Sequence, residues 1–202
     1  MNAPVQLPDG IAVDDLEQWF DRRFDARMAE RDAARVPSMT IIATKGTLDM
    51  AYPPLILAST AAALGWEVSI FCTFYGLSLL KRDLDLKVTP LGNPAMPMKL
   101  PVGPAWLRNR ELNIPTSVMA VLPGFEKAAG AMFRKGLAAK GVASLEELRE
   151  LSIEAGVRFV ACQMTVDLFG WSRGEFIDEV ADWIGAASFL PVALTADVNL
   201  FV

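Results

Sequence analysis

The chain has 202 residues, 52% hydrophobic and 21% charged, with 19 Lys and Arg against 24 Asp and Glu and no histidine. Its length and apolar content fit one folded core with an extension and exclude a disordered chain, while a net charge of -5 argues against a surface that tracks nucleic-acid phosphates. The missing imidazole closes Ser-His-Asp and Cys-His hydrolysis and most catalytic zinc sites, and two cysteines, Cys72 and Cys162, make neither a disulfide scaffold nor a four-ligand metal site.

Residues 1–10 carry neither a basic region nor an apolar run, so no signal peptide is expected, and a reducing, cytoplasmic compartment fits the cysteine usage. From Asp14 to Arg35 the apolar residues Leu16, Trp19, Phe20, Phe24 and Met28 recur by three and four, which predicts one amphipathic helix. Asp14 or Asp15 can cap it and Pro37 stops it. Residues 1–38 thus read as a helical extension, free to cover its own domain or another subunit, and residues 39–202 as an α/β domain.

Within that domain, Thr40–Thr44 predicts a first strand, Lys45–Asp49 a turn, and Met50–Leu64 a helix ended by Gly65. Glu67–Thr73 predicts a second strand, followed by a helical piece over Tyr75–Asp83. Met50–Trp66 and Val68–Leu80 both lack charge, yet no membrane hairpin is expected: a span needs about 20 apolar residues, and the first run contains Pro53, Pro54, Ser59, Thr60 and Gly65. Strand alternating with helix is the pattern of an open parallel sheet.

The pattern lapses where Pro90, Pro94, Pro97, Pro101 and Pro104 crowd together around Met96 and Met98. A stretch this long without regular structure reads either as an excursion packed on the surface or as a lid or docking loop, and Met96 and Met98 are its candidate contacts. A third strand is expected over Thr116–Leu122 and a helix over Pro123–Ala139. Ser144-Leu-Glu-Glu is a capping box opening a helix to Ala155. Val157–Ala161 predicts a strand, Gln163–Phe169 a short helix, Trp183–Leu194 a helix and Val198–Val202 a last strand, with Phe176–Ala181 ambiguous.

Ligands of open α/β sheets bind beyond the carboxyl ends of the strands. Cys162 falls at that edge, at the start of a helix whose unpaired N–H groups favour an anion, and the thiolate is the reactive form of cysteine. A buried packing role is the competing reading. Cys72 shares the face of Val68 and Ile70 by alternation, as a core residue does, but as an accessory thiol it could resolve Cys162 if the two strands are neighbours. Lys45 and Gly46, with Tyr75 and Gln163 at the later strand ends, are candidates to line an anion site. The lone glycine there matches neither a dinucleotide fingerprint nor a P-loop. No metal cluster is expected from the carboxylates.

Five blocks then combine: Ala43-Thr-Lys-Gly-Thr-Leu-Asp-Met-Ala-Tyr-Pro-Pro, Val68-Ser-Ile-Phe-Cys-Thr-Phe-Tyr-Gly-Leu, Leu91-Gly-Asn-Pro-Ala-Met-Pro-Met, Gly141-Val-Ala-Ser-Leu-Glu-Glu-Leu and Ala161-Cys-Gln-Met-Thr-Val-Asp-Leu-Phe-Gly. In this order, from Met39 onward, they resemble the DsrE/DsrF-like family. The resemblance implies a flavodoxin-like, Rossmann-like domain with an open, mostly parallel sheet and helices on both faces, assembled as a homo-oligomer, here expected to be a trimer or tetramer. It implies a carrier of sulfane sulfur, held as a persulfide on the cysteine that matches Cys162, exchanging with a thiol or persulfide sulfur-carrier protein or sulfurtransferase and needing no cofactor. Relatives often have methionine where Val166 and Phe169 stand, and an aromatic residue in place of Cys72. The rival expectations are a module binding a nucleotide, flavin or other anionic ligand at Lys45–Asp49, and a thiol peroxidase.

Overall fold

The computed structural model describes residues 13–88, 98–99, 104, 106, 111–112 and 124–202. Two units are distinguished, up to Val36 and from Pro37 onward. In the first, α1 (Val13–Ala34) is a single 22-residue helix. It starts one residue before Asp14, so Asp14 and Asp15 occupy its first turn, where their charge complements the helix dipole, and do not precede the helix as caps. Along one side the rings of Phe20 and Phe24 stack at 6.2 Å, the contact expected of aromatic residues four apart.

The second unit is built on β1 (Ser38–Ala43), α2 (Leu48–Ala63) and β2 (Glu67–Cys72). A 3-10 turn, Phe74–Leu80, follows. Two short strands, β3 (Met98–Lys99) and β4 (Glu111–Leu112), pair antiparallel. Next come α3 (Phe125–Ala138), α4 (Leu145–Glu154), β5 (Arg158–Cys162), α5 (Gln163–Phe169), β6 (Val180–Ile184), α6 (Ala186–Thr195) and β7 (Val198–Phe201). The main sheet has five strands in the order β6-β5-β2-β1-β7, and every pair is parallel. This is the open parallel α/β sheet expected from the strand-helix alternation.

Alternation along the strands divides the core between two faces. Ile41, Ala43, Ile70, Cys72, Phe159 and Ala161 point to one face and bury themselves against α2, α4 and the 3-10 turn. Phe71, Val160 and Cys162 point to the other, where Phe189 of α6 completes a much smaller cluster. Ile41, Ile70 and Phe159 are fully buried, and each contributes about 1.5–3 kcal/mol of transfer free energy. The near-continuous apolar runs of β2 and β5 are what a strand covered on both sides needs. Helix α4 is fixed at its start by the expected capping box: Ser144 Oγ accepts from the Glu147 N–H at 3.2 Å, and the Glu147 carboxylate accepts from the Ser144 N–H at 2.7 Å.

Several expectations change. The piece after β2 is a 3-10 turn over Phe74–Leu80, because Leu77, Leu79 and Leu80 are all buried and no single α-helical stripe could bury them together. Trp183 and Ile184 are not helical: they close β6, paired with Ala161 and Cys162, and α6 begins only after Gly185. Its start is set by strand pairing and by the Arg158–Asp182 ion pair across β5 and β6, and long-range pairing of this kind overrides local propensity. The ambiguous Phe176–Ala181 resolves into an isolated bridge between Phe176 and Lys81 followed by the first residues of β6. The expected strand Thr116–Leu122 lies outside the described residues, as does Met96. Among the described residues no helix is long and apolar enough to cross a membrane; α2, the apolar candidate, has 16 residues with Pro53 and Pro54 inside.

Candidate functional site

Cys162 is the last paired residue of β5, opposite Ile184 of β6, and at the same time the residue that caps α5. It therefore stands at the carboxyl edge of the sheet, one residue deeper in the strand than expected. On its other flank the β2–β5 register runs from Ser69↔Arg158 to Cys72↔Ala161. Continued by one residue, it brings Thr73 beside Cys162 on the same face. Phe71, Val160 and Phe189 complete the apolar surroundings, with Phe71 and Phe189 stacked face to face at 4.6 Å and 13°. The thiol residue is 2% exposed, so a reagent meets it only when part of this cover moves.

Cys72 ends the neighbouring strand but faces the opposite way. It is fully buried in the larger core, and desolvation pushes its thiol well above the ordinary cysteine range. Adjacent strands thus do not bring the two sulfurs together: the sheet itself lies between them.

Gly46 and Tyr75 are in direct contact. A Cβ on Gly46 would fall 2.3 Å from the Tyr75 carbonyl oxygen, and one on Gly76 would fall 2.1 Å from the Ala43 carbonyl oxygen. These two glycines let the turn after β1 and the turn after β2 press backbone against backbone. The first N–H of α2, that of Leu48, donates to the Lys87 carbonyl at 2.8 Å. The glycine and this N–H are therefore already engaged in packing, while Lys45 points to solvent. Tyr75 is exposed and its ring stacks on Phe169 of α5 at 5.8 Å.

Gln163 has both ends of its amide in use. Its Nε2 donates to Asp167 Oδ1 and its Oε1 accepts from Arg173 Nη2, each at 2.7 Å. The Arg173 guanidinium in turn lies 5.0 Å from the centre of the Trp183 ring. Gln163 thereby braces α5 against the 3-10 turn at Arg173–Glu175. Met98 belongs to β3, and Met96 together with most of the proline-rich segment lies outside the described residues.

Three residues not anticipated as part of the site stand at this edge. Thr165, fully buried on the first turn of α5, shares a hydroxyl–hydroxyl hydrogen bond of 3.2 Å with Thr73, and its Oγ1 also accepts from the Phe74 N–H at 3.4 Å. Phe74 has φ +47°, a left-handed conformation that no other non-glycine residue adopts among the described residues. The cysteine block Cys-Gln-Met-Thr contained Thr165, but only the register reveals that its hydroxyl meets the end of β2.

The residues that form this edge lie inside one family match. Residues 35–201 match the model of the DsrE/DsrF/DrsH-like family. The chain belongs to that family. It is also similar to the sulfur carrier protein DsrE2 of Allochromatium vinosum, with 54% identity over 164 residues, 81% of this chain and 97% of that protein. The uncharacterized protein YrkE of Bacillus subtilis is 32% identical over 164 residues, 81% of this chain and 95% of that protein. The family match thus takes in the whole sheet, both cysteines and the Thr73–Thr165 contact, and starts next to the boundary that sets α1 apart.

Proposed function

We propose that this DsrE/DsrF/DrsH-like chain is a carrier of sulfane sulfur that holds it as a persulfide on Cys162 and passes it between partner thiols. The observation that carries the reading is the position of Cys162: of the two thiols in the chain, it alone stands at the ligand-binding edge with its side chain turned away from the main core. The 54% identity to a protein named as a sulfur carrier supports the same chemistry.

The reaction needs only thiol chemistry. The Cys162 thiolate attacks the outer sulfur of a donor persulfide, a new S–S bond forms on Cys162, and the donor leaves as a thiolate. An acceptor thiolate then attacks the outer sulfur of the Cys162 persulfide and Cys162 departs as a thiolate. One sulfur atom moves, and no external oxidant or reductant is consumed. A thiol partner protein and a reducing, cytoplasmic setting suit this exchange. A homo-oligomer, trimer or tetramer, is part of the proposal, supported by Trp19, Phe20 and Phe24 on α1 and Leu190 and Leu194 on the uncharged α6, all exposed.

The test is mass spectrometry after incubation with polysulfide. The wild-type chain should gain about 32 Da or multiples of it at Cys162. A chain that gains nothing, or gains it equally as Cys162→Ser, defeats the assignment. Light scattering tests the oligomer, and a monomer at micromolar concentration defeats that part.

A further inference from the structure

Phe74 is an aromatic residue in a backbone conformation that bulky side chains rarely adopt. It is also half exposed, so the ring does not repay that conformation by filling the core. Strained residues of this kind persist where the surroundings hold them, and they concentrate where a protein meets its ligands. The holder here is identifiable: Thr165 Oγ1 receives the Phe74 N–H and bonds the Thr73 hydroxyl, inside a contact that is itself buried. Thr165 lies three residues after Cys162 on the same short helix, and Thr73 is Cys162's lateral neighbour by register. The polar pair thus locks the turn bearing Phe74 to the segment bearing the thiol.

Around Phe74 the exposed side chains are uniformly uncharged. Tyr75 follows it on the turn, and Met164 and Leu168 project from α5 on either side of Thr165 in sequence. All four are 45–65% exposed. A rim of this composition fits an uncharged, apolar collar around a partner's sulfur and offers nothing to an acidic or basic one.

We propose that Phe74 is a specificity-determining contact for the protein that exchanges sulfur with Cys162, selecting a partner cysteine with apolar flanking residues, and that Thr165 is the positioning residue that presents it. This rests on the persulfide reading of Cys162 for its biological meaning, but its test does not need persulfide loading. Two cysteine peptides, one flanked by leucine and phenylalanine and one flanked by serine, are activated as 2-pyridyl disulfides. The Cys162 thiolate attacks the peptide cysteine's sulfur, forms a mixed disulfide and releases pyridine-2-thione, which is read by absorbance, with Cys162→Ser as the blank.

The wild-type chain should react roughly ten-fold faster with the apolar peptide, the scale of discrimination that modest apolar contacts provide. Phe74→Gly should bring the two rates together while leaving reaction with a small pyridyl disulfide unchanged and the melting temperature equal or higher, since glycine adopts this conformation without strain. Thr165→Val should also lose the preference, and Thr165→Ser should restore it. A wild type without preference, a Phe74→Gly variant that keeps it, or a Phe74→Gly variant that melts earlier would overturn the proposal. Preference with no polysulfide loading would retain Phe74 as a docking contact and remove the persulfide reading, so the two fail separately.

Discussion

Cys72 and Cys162 end adjacent parallel strands, both are almost without solvent contact, and they belong to different environments. Cys72 points into the large core under α2 and α4, where its neighbours are the best-covered side chains of the molecule. Cys162 points the other way, into a cluster of four buried residues under one uncharged helix, at the edge where the chain leaves the sheet. Equal burial therefore conceals unequal reactivity. Exposing Cys72 requires the main core to open, whereas Cys162 needs only its local cover to shift, and local openings are far less costly than global ones.

The widest gap between the two thiols is in sulfur loading. Cys162→Ser should abolish the mass gain of about 32 Da from polysulfide, while Cys72→Ser should keep it; loading lost only in Cys72→Ser would move the site to the other face. Next comes the cover. Phe189→Leu removes the stacking on Phe71 yet keeps an apolar side chain, and it should raise the alkylation rate of Cys162 by roughly ten-fold without raising that of Cys72. Mass mapping after brief iodoacetamide treatment measures both, and unchanged labelling would mean that Phe189 is not the cover that moves.

The difference also has a stability side. Cys72→Ser places a hydroxyl in a fully apolar, fully buried position and should cost about 1–3 kcal/mol in urea denaturation, whereas Cys162→Ser, at the edge, should cost less. The smallest effect concerns the helix over the Cys72 face. Ser144→Ala removes one arm of the α4 capping box and should cost about 1 kcal/mol, with Cys72 labelling rising more than Cys162 labelling. The partner of that cap titrates. Backbone and side-chain hydrogen bonds from Ser144 hold the Glu147 carboxyl below its ordinary value of 4.5. A carboxylate lowered on folding adds stability that is present above the unfolded value and is lost as pH falls through the folded one. Acidification below about pH 4.5 should therefore destabilise the wild type more than Ser144→Ala, as followed by thermal melts across pH.

Much of this contrast was legible before any coordinates. The alternation of Val68, Ile70 and Cys72 placed Cys72 on a core face, the Ser144-Leu-Glu-Glu signature gave the start of α4, and the strand-helix order gave a parallel sheet, because all of these follow from local periodicity and capping chemistry. The resolving role considered for Cys72 depended on the two strands being neighbours. They are neighbours, yet the side chains leave opposite faces, since the register pairs Cys72 with Ala161 and not with Cys162.

By itself, then, the sequence determined the class of the fold, most of its helices and strands, the absence of imidazole chemistry and the candidacy of Cys162, all properties written in composition or in runs of a few residues. Only the tertiary structure decided that Trp183 and Ile184 are strand, that Gly46 is used up against the Tyr75 carbonyl, and that Phe74 is held in a left-handed turn by Thr165. Each of these joins segments about thirty to ninety residues apart, and local sequence has no term for the energy of a contact that exists only once the sheet has aligned its strands.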